Sequence, residues 1–176
     1  MKPLDPTGLK RLHREWRRDV NGRLAVVLDS VQSPFNVGAI LRTAAAYRVE
    51  HVWLAGATPP PTSGGVRKTA LGTDRYLTIT SVDRAIDAVD EARAAGFRLV
   101  GIELAEGAQP MHDLKLGDAT CLVVGNEDHG ISVAVLRACD DVAFLPQLGK
   151  VGSLNVATAA SIALYEARRQ EWASHE

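Results

Sequence analysis

Leu24-Ala-Val-Val-Leu28 is a continuous apolar run of strand length that ends on Asp29, and His51-Val-Trp-Leu-Ala55 is a second. Short runs unbroken by polar positions predict strands buried on both faces. Between them the period changes. Val37, Ile40, Leu41 and Ala44 fall at helical spacing behind the turn-rich Ser33-Pro-Phe-Asn36, which predicts Asn36 as the helix N-cap and an end near Arg48. Gly56 to Gly65, with three consecutive prolines, predicts a surface loop ahead of a short helix over Val66 to Leu71. Tyr76 to Thr80 alternates as a strand, and Val82 to Ala95 carries Ile86, Val89 and Ala92 on one helical stripe closed by Gly96. Phe97 to Ile102, Thr120 to Val124 and Val142 to Leu145 read as strands; Ile131 to Cys139 and Leu154 to Arg169 read as helices. Strands alternating with helices predict an α/β fold, with a mostly parallel sheet and helices on both faces.

A length of 176 residues, 46% hydrophobic and 23% charged, fits one ordinary globular core. The formal net charge of −1 supplies no global basic field. Its distribution is uneven, because residues 1–23 hold seven Lys and Arg against three Asp and Glu. This divides the chain into a basic, helical N-terminal extension over 1–23 and a folded domain over 24–176. Within the extension, Arg17 and Arg18 are candidate phosphate contacts and Trp16 a candidate stacking group, against the plainer reading of a solvated helix face. No apolar stretch follows the first charges, and Val156 to Tyr165 is too short to span a bilayer, so a cytoplasmic protein without a membrane partner is expected. Two cysteines and five scattered histidines give neither a disulfide framework nor a metal-ligand set.

In open parallel sheets, ligands sit beyond the carboxyl ends of the strands, which directs attention to the segments after Leu28, Ile102, Val124 and Leu145. Gly125-Asn-Glu-Asp-His-Gly130 follows one of these strands and Pro146-Gln-Leu-Gly-Lys-Val-Gly-Ser-Leu-Asn155 another. Glycines at 125, 130, 149 and 152 permit close backbone approach to a ligand. Three common readings fail on spelling. No G-x-G-x-x-G stands at a strand-to-helix junction; Ile131 occupies the place of a P-loop lysine; and Asn155 replaces the last glycine of a serine nucleophile elbow.

Three blocks taken together look like a known family. Leu28-Asp-Ser-Val-Gln-Ser-Pro-Phe-Asn-Val-Gly-Ala-Ile-Leu-Arg-Thr43, Val124-Gly-Asn-Glu-Asp-His-Gly-Ile131 and Leu145-Pro-Gln-Leu-Gly-Lys-Val-Gly-Ser-Leu-Asn-Val156 resemble motifs 1, 2 and 3 of the TrmH/SpoU family of the SPOUT superfamily. The resemblance covers the chain after residue 24 and implies that 24–176 is a SPOUT methyltransferase catalytic domain with a C-terminal trefoil knot. It implies an S-adenosyl-L-methionine-dependent RNA 2′-O-ribose methyltransferase working as a homodimer on tRNA or rRNA, with tRNA favoured. The alternative is a catalytically silent RNA-binding or cofactor-sensing module on the same scaffold. Asp128 and His129 depart from the small residues frequent in that loop, which puts its shape in question.

By the same resemblance, Asn36, Arg42, Glu127, Ser153 and Asn155 fall on catalytic positions, and Leu104, Gly125, Leu145 and Leu154 on cofactor-holding ones. Each catalytic candidate has a plainer role beside it. Asn36, Ser153 and Asn155 are placed to cap helices, and Glu127 to cap the helix starting near Ile131. Arg42 reads plainly as a solvated helix arginine; as a lone charge among Ile40, Leu41, Thr43 and three alanines it is instead expected to be packed and to need a partner. Arg67, Lys68 and Lys150 are candidate RNA contacts or ordinary surface cations. Neutralising an arginine at pH 7 costs about 7 kcal/mol, and a bound phosphate raises that cost further. Arg42 is therefore expected to clamp phosphate and orient the ribose hydroxyl, with Asn36, Ser153 or water assisting departure of the proton.

Overall fold

The computed structural model describes residues 2–18 and 20–173; Met1, Asp19 and residues 174–176 lie outside them. The elements run α1 (Pro6–Arg18), β1 (Arg23–Asp29), α2 (Pro34–Ala46), β2 (His51–Ala55), α3 (Gly64–Ala70), a 3-10 turn (Thr73–Tyr76), β3 (Thr78–Val82), α4 (Ala85–Ala94) and β4 (Arg98–Ile102). They continue with β5 (Gln109–Pro110), β6 (Ala119–Val124), α5 (Val133–Ala138), β7 (Asp141–Phe144) and α6 (Val156–Ala173). One seven-stranded sheet has the order β3-β2-β1-β6-β4-β7-β5, parallel at each pairing.

The apolar runs lie in the middle of this sheet because both of their faces are covered. Leu24, Val26 and Leu28 of β1 point to one side, where they meet Val37, Ile40 and Leu41 of α2, Val66 of α3, and Ala160 and Leu164 of α6. Ala25 and Val27 point to the other, against Trp53, Val89 and Ala92 of α4, and Val135 of α5. Each fully buried branched side chain contributes about 1.5–3 kcal/mol. On the first side α2 and α3 approach so closely that a Cβ on Gly38 would lie 2.6 Å from the Val66 carbonyl oxygen.

Several boundaries differ from the sequence expectation for local reasons. The N-cap of α2 is Ser33, whose hydroxyl accepts the Asn36 N–H at 3.4 Å, and Asn36 lies inside the first turn. Pro34 accounts for the shift, since its fixed φ and missing N–H suit the first helical position. Tyr76 belongs to the 3-10 turn, so β3 starts at Thr78. The two-residue β5 has too few positions to show a period. Cys121 is buried and Cys139 half-buried, and burial pushes the Cys139 thiol up to about 11.

α1 lies on the outside, with no buried residue. It touches the domain where the Trp16 ring meets the edge of Trp172 at 5.1 Å and where Arg48 Nη1 donates to the Arg17 carbonyl at 3.3 Å. At the opposite end of the sheet from the loops considered next, the buried Arg168 donates to the carbonyls of Gly22, Tyr47 and Arg48 at 2.8–3.0 Å.

Candidate active site

The segments after β1, β6 and β7 are bound to one another by side chains that the first turns of α2 and α6 hold in place. Glu127, after β6, accepts the backbone N–H groups of Gln32 and Ser33 at 2.9 and 3.0 Å. It therefore serves the N-terminal turn of α2 and not that of α5, as a carboxylate favoured beside a positive helix end. The Asn36 side-chain amide donates to the same carboxylate at 2.8 Å. In turn, Asn155 Nδ2 donates to Asn36 Oδ1 at 3.0 Å. Asn155 Oδ1 accepts from the N–H groups of Ala157 and Thr158, which makes it the working cap of α6. The relay Glu127, Asn36, Asn155 thus joins the three blocks through polar contacts of near-ideal length.

Burial opposes ionisation of Glu127, but the donors Asn36, Gln32 and Ser33 outweigh it and hold the carboxyl below its ordinary range. Two further ties complete the frame. Asn126 Nδ2 donates to the Ser30 carbonyl at 2.9 Å, and the buried Asp29 accepts the Ser132 N–H at 2.8 Å. Asn126 Oδ1 also accepts the N–H groups of Asp128 and His129, whose side chains are exposed, so those two residues leave the loop closed. Gly125 is required by that closure, since a Cβ there would stand 2.1 Å from the Gly130 carbonyl carbon.

Beside the relay, a cavity between the ends of β4 and β7 is lined by Glu103, Leu104, Leu145, Gln147, Ser153 and Leu154. It gathers three of the expected cofactor residues, together with Ser153; Gly125 is not in its wall. Glu103 accepts the N–H groups of Leu104 and Ile131, both at 3.0 Å, and so ties this wall to the loop after β6.

Arg42 is not in the wall of this cavity. It is exposed on α2, on the outward stripe that also carries Phe35 and Ala46, and has no partner among the described residues. The packed environment expected for it is absent among the described residues, because α2 buries Val37, Ile40, Leu41 and Ala44 and turns Arg42 away. Arg17, Arg18, Arg67, Lys68 and Lys150 are likewise exposed. Asp29, Asn126, Glu103 and Gln147 were not anticipated. Asp29 and Glu103 had a legible signal, a carboxylate at or directly after the end of an apolar strand.

A family model described as "SpoU rRNA Methylase family" matches residues 23–165. The chain belongs to this family. A relative, the 23S rRNA (guanosine(2553)-2′-O)-methyltransferase RlmP of Bacillus subtilis, is 32% identical over 157 residues, covering 89% of this chain and 62% of that protein. The solved AdoMet-bound rRNA methyltransferase of Sinorhizobium meliloti is 34% identical, with a TM-score of 0.79 over 85% of this chain and 57% of that one. A structure describing 2-OH methylation of C/U34 on tRNA is 28% identical, with a TM-score of 0.75 over 85% of this chain and 97% of that one. The chain therefore spans about six tenths of the length of the RlmP relative. Among its described residues, no helix is long and apolar enough to cross a membrane, and no cluster of ligating side chains could hold a metal ion.

Proposed function

We propose that this chain is an S-adenosylmethionine-dependent RNA methyltransferase acting on a ribose 2′-hydroxyl, with tRNA favoured over rRNA. The observation that carries the reading is the relay Glu127, Asn36, Asn155 beside a leucine-lined cavity. The residues present fit the cofactor: Leu104, Leu145 and Leu154 offer apolar walls to a flat base, and the polar side chains of Gln147 and Ser153 lie among them. When bound, the cofactor supplies a methyl carbon activated by a sulfonium. The protein's share is to bring the ribose oxygen into line and to handle its proton.

Asn36 positions rather than accepts that proton, since its amide is engaged at both ends by Glu127 and Asn155. Ser153, in the cavity wall, or a water it holds is the better route for the proton. Arg42 clamps phosphate, and Arg67, Lys68, Lys150, Arg17 and Arg18 are the further RNA contacts of this reading. Support for tRNA comes from the C/U34 tRNA structure, nearly all of which this chain matches.

The same reading includes a basic extension over 1–23, a catalytic domain over 24–176, a C-terminal trefoil knot and a homodimer. Support for the knot is the late entry of β6 between β1 and β4, with α6 returning over the face that α2 covers. Support for the dimer is the exposed apolar set Phe35 on α2 with Ile162 and Tyr165 on α6. The test is incubation with labelled cofactor and bulk tRNA or rRNA from a strain lacking the protein, followed by alkaline hydrolysis. Label recovered in alkali-resistant dinucleotides from tRNA is expected. Label on bases, or none in either RNA, would contradict the proposal.

A further inference from the structure

Gln147 and Leu148, two and three residues beyond Leu145, are oriented against the usual preference. Leu148 is 102% exposed, whereas Gln147 is turned inward to line the cavity. Burying an amide while exposing a leucine is costly unless the amide meets a partner. Its oxygen meets none: in the half-buried Gln147, Oε1 is buried and lacks a hydrogen-bond partner among the described residues. Its surroundings are mostly apolar, with Leu104, Leu145, Leu154 and Phe144 in the same wall. The one carboxylate there, Glu103, already accepts two backbone N–H groups.

We infer that Gln147 is a specificity-determining residue for the cofactor, its Oε1 accepting a hydrogen bond from the exocyclic amine of the adenine. This rests on the functional reading above. An orphaned neutral acceptor between leucines suits a neutral donor on a flat ring that the leucines can cover. A charged ammonium is better matched by a carboxylate. The protein bears the cost of an unsatisfied carbonyl when free and recovers it on binding, so a ligand lacking the amine is rejected by the site's own unpaired group.

The experiment is a double-mutant cycle read by calorimetry, with S-adenosylhomocysteine and its 6-deamino analogue as ligands and wild type and Gln147→Leu as proteins. Wild type is expected to bind the deamino analogue about tenfold more weakly. Gln147→Leu is expected to bind both ligands alike, at about the affinity of wild type for the analogue. Its melting temperature without ligand is expected to equal or exceed that of wild type, because a buried unpaired polar atom has been removed. Equal discrimination by the two proteins would overturn the assignment. So would equal weakening of both ligands with a lowered melting temperature, the mark of a purely structural role. Wild type that binds neither ligand would overturn the functional reading and this assignment with it.

Discussion

Glu127 accepts three hydrogen bonds from residues of the first block, and its ionised form is the one they stabilise. A carboxyl whose folded pKa is depressed contributes stability above its unfolded pKa and loses it as pH falls through the folded value. Glu127→Gln is therefore expected to lower stability at pH 7 by about 1 kcal/mol, a figure reduced for its exposure to solvent. The variant should also show a flatter acid limb, with the gap from wild type closing below the ordinary carboxylate range, as measured by urea denaturation across pH. Arg42 makes a different case, because nothing in the described fold depends on its side chain. Arg42→Lys is expected to cost about 100-fold in turnover with cofactor affinity changed less than about twofold, since lysine lacks the planar fork that grips phosphate. Equal losses in turnover and in calorimetric cofactor affinity would count against that role. Both residues stood out in the sequence, yet Arg42 is exposed where its apolar neighbours suggested packing. Spacing along a helix shows which residues share a stripe, and only the neighbouring elements decide which stripe is covered.

Among the elements, α2 and α6 set the site, since one carries Asn36 and the other begins at the residue after Asn155. Thr43 and Ser161 meet across them at 3.2 Å, and Arg168 fastens the far end by bonding the Tyr47 and Arg48 carbonyls that follow α2. Arg168 is 3% exposed, so its removal takes the donors from three part-buried carbonyls and breaks its ion pair with Glu171. Arg168→Met is expected to cost about 3 kcal/mol, seen as a lower urea midpoint, with Arg168→Lys recovering less than half because its donors do not form a fork. The strands after Leu24, His51 and Thr120 were legible because a sheet covered on both faces leaves unbroken apolar runs. Helix starts were less so. Ser33 and Asn36 are both good caps; Pro34 directly after Ser33 was the sequence signal that favours Ser33, since proline suits the first helical position.

For the whole molecule, charge and apolar surface are segregated. α1 presents Arg17 and Arg18 to solvent, while Phe35, Ile162 and Tyr165 remain exposed across α2 and α6. Reversing both arginines to glutamate is expected to weaken RNA binding and to reduce the slope of log affinity against log salt by about one to two. An unchanged slope would leave α1 without a role in RNA binding. Replacing Ile162 and Tyr165 by aspartate is expected to halve the mass measured by sedimentation if those side chains form a dimer seam, with a helical spectrum retained.

The amino-acid sequence determined the alternation of strands and helices, the burial of both sheet faces and the three blocks that mark the family, because these depend on local period and residue type. Tertiary structure alone decided that Glu127 serves α2, that Asn36 and Asn155 meet, that Arg42 faces outward and that Gln147 holds an unpaired oxygen in a cavity wall. Asn36 and Asn155 are separated by 119 positions. No pattern along the chain encodes their contact, which exists because a parallel sheet brings the carboxyl ends of distant strands to one edge.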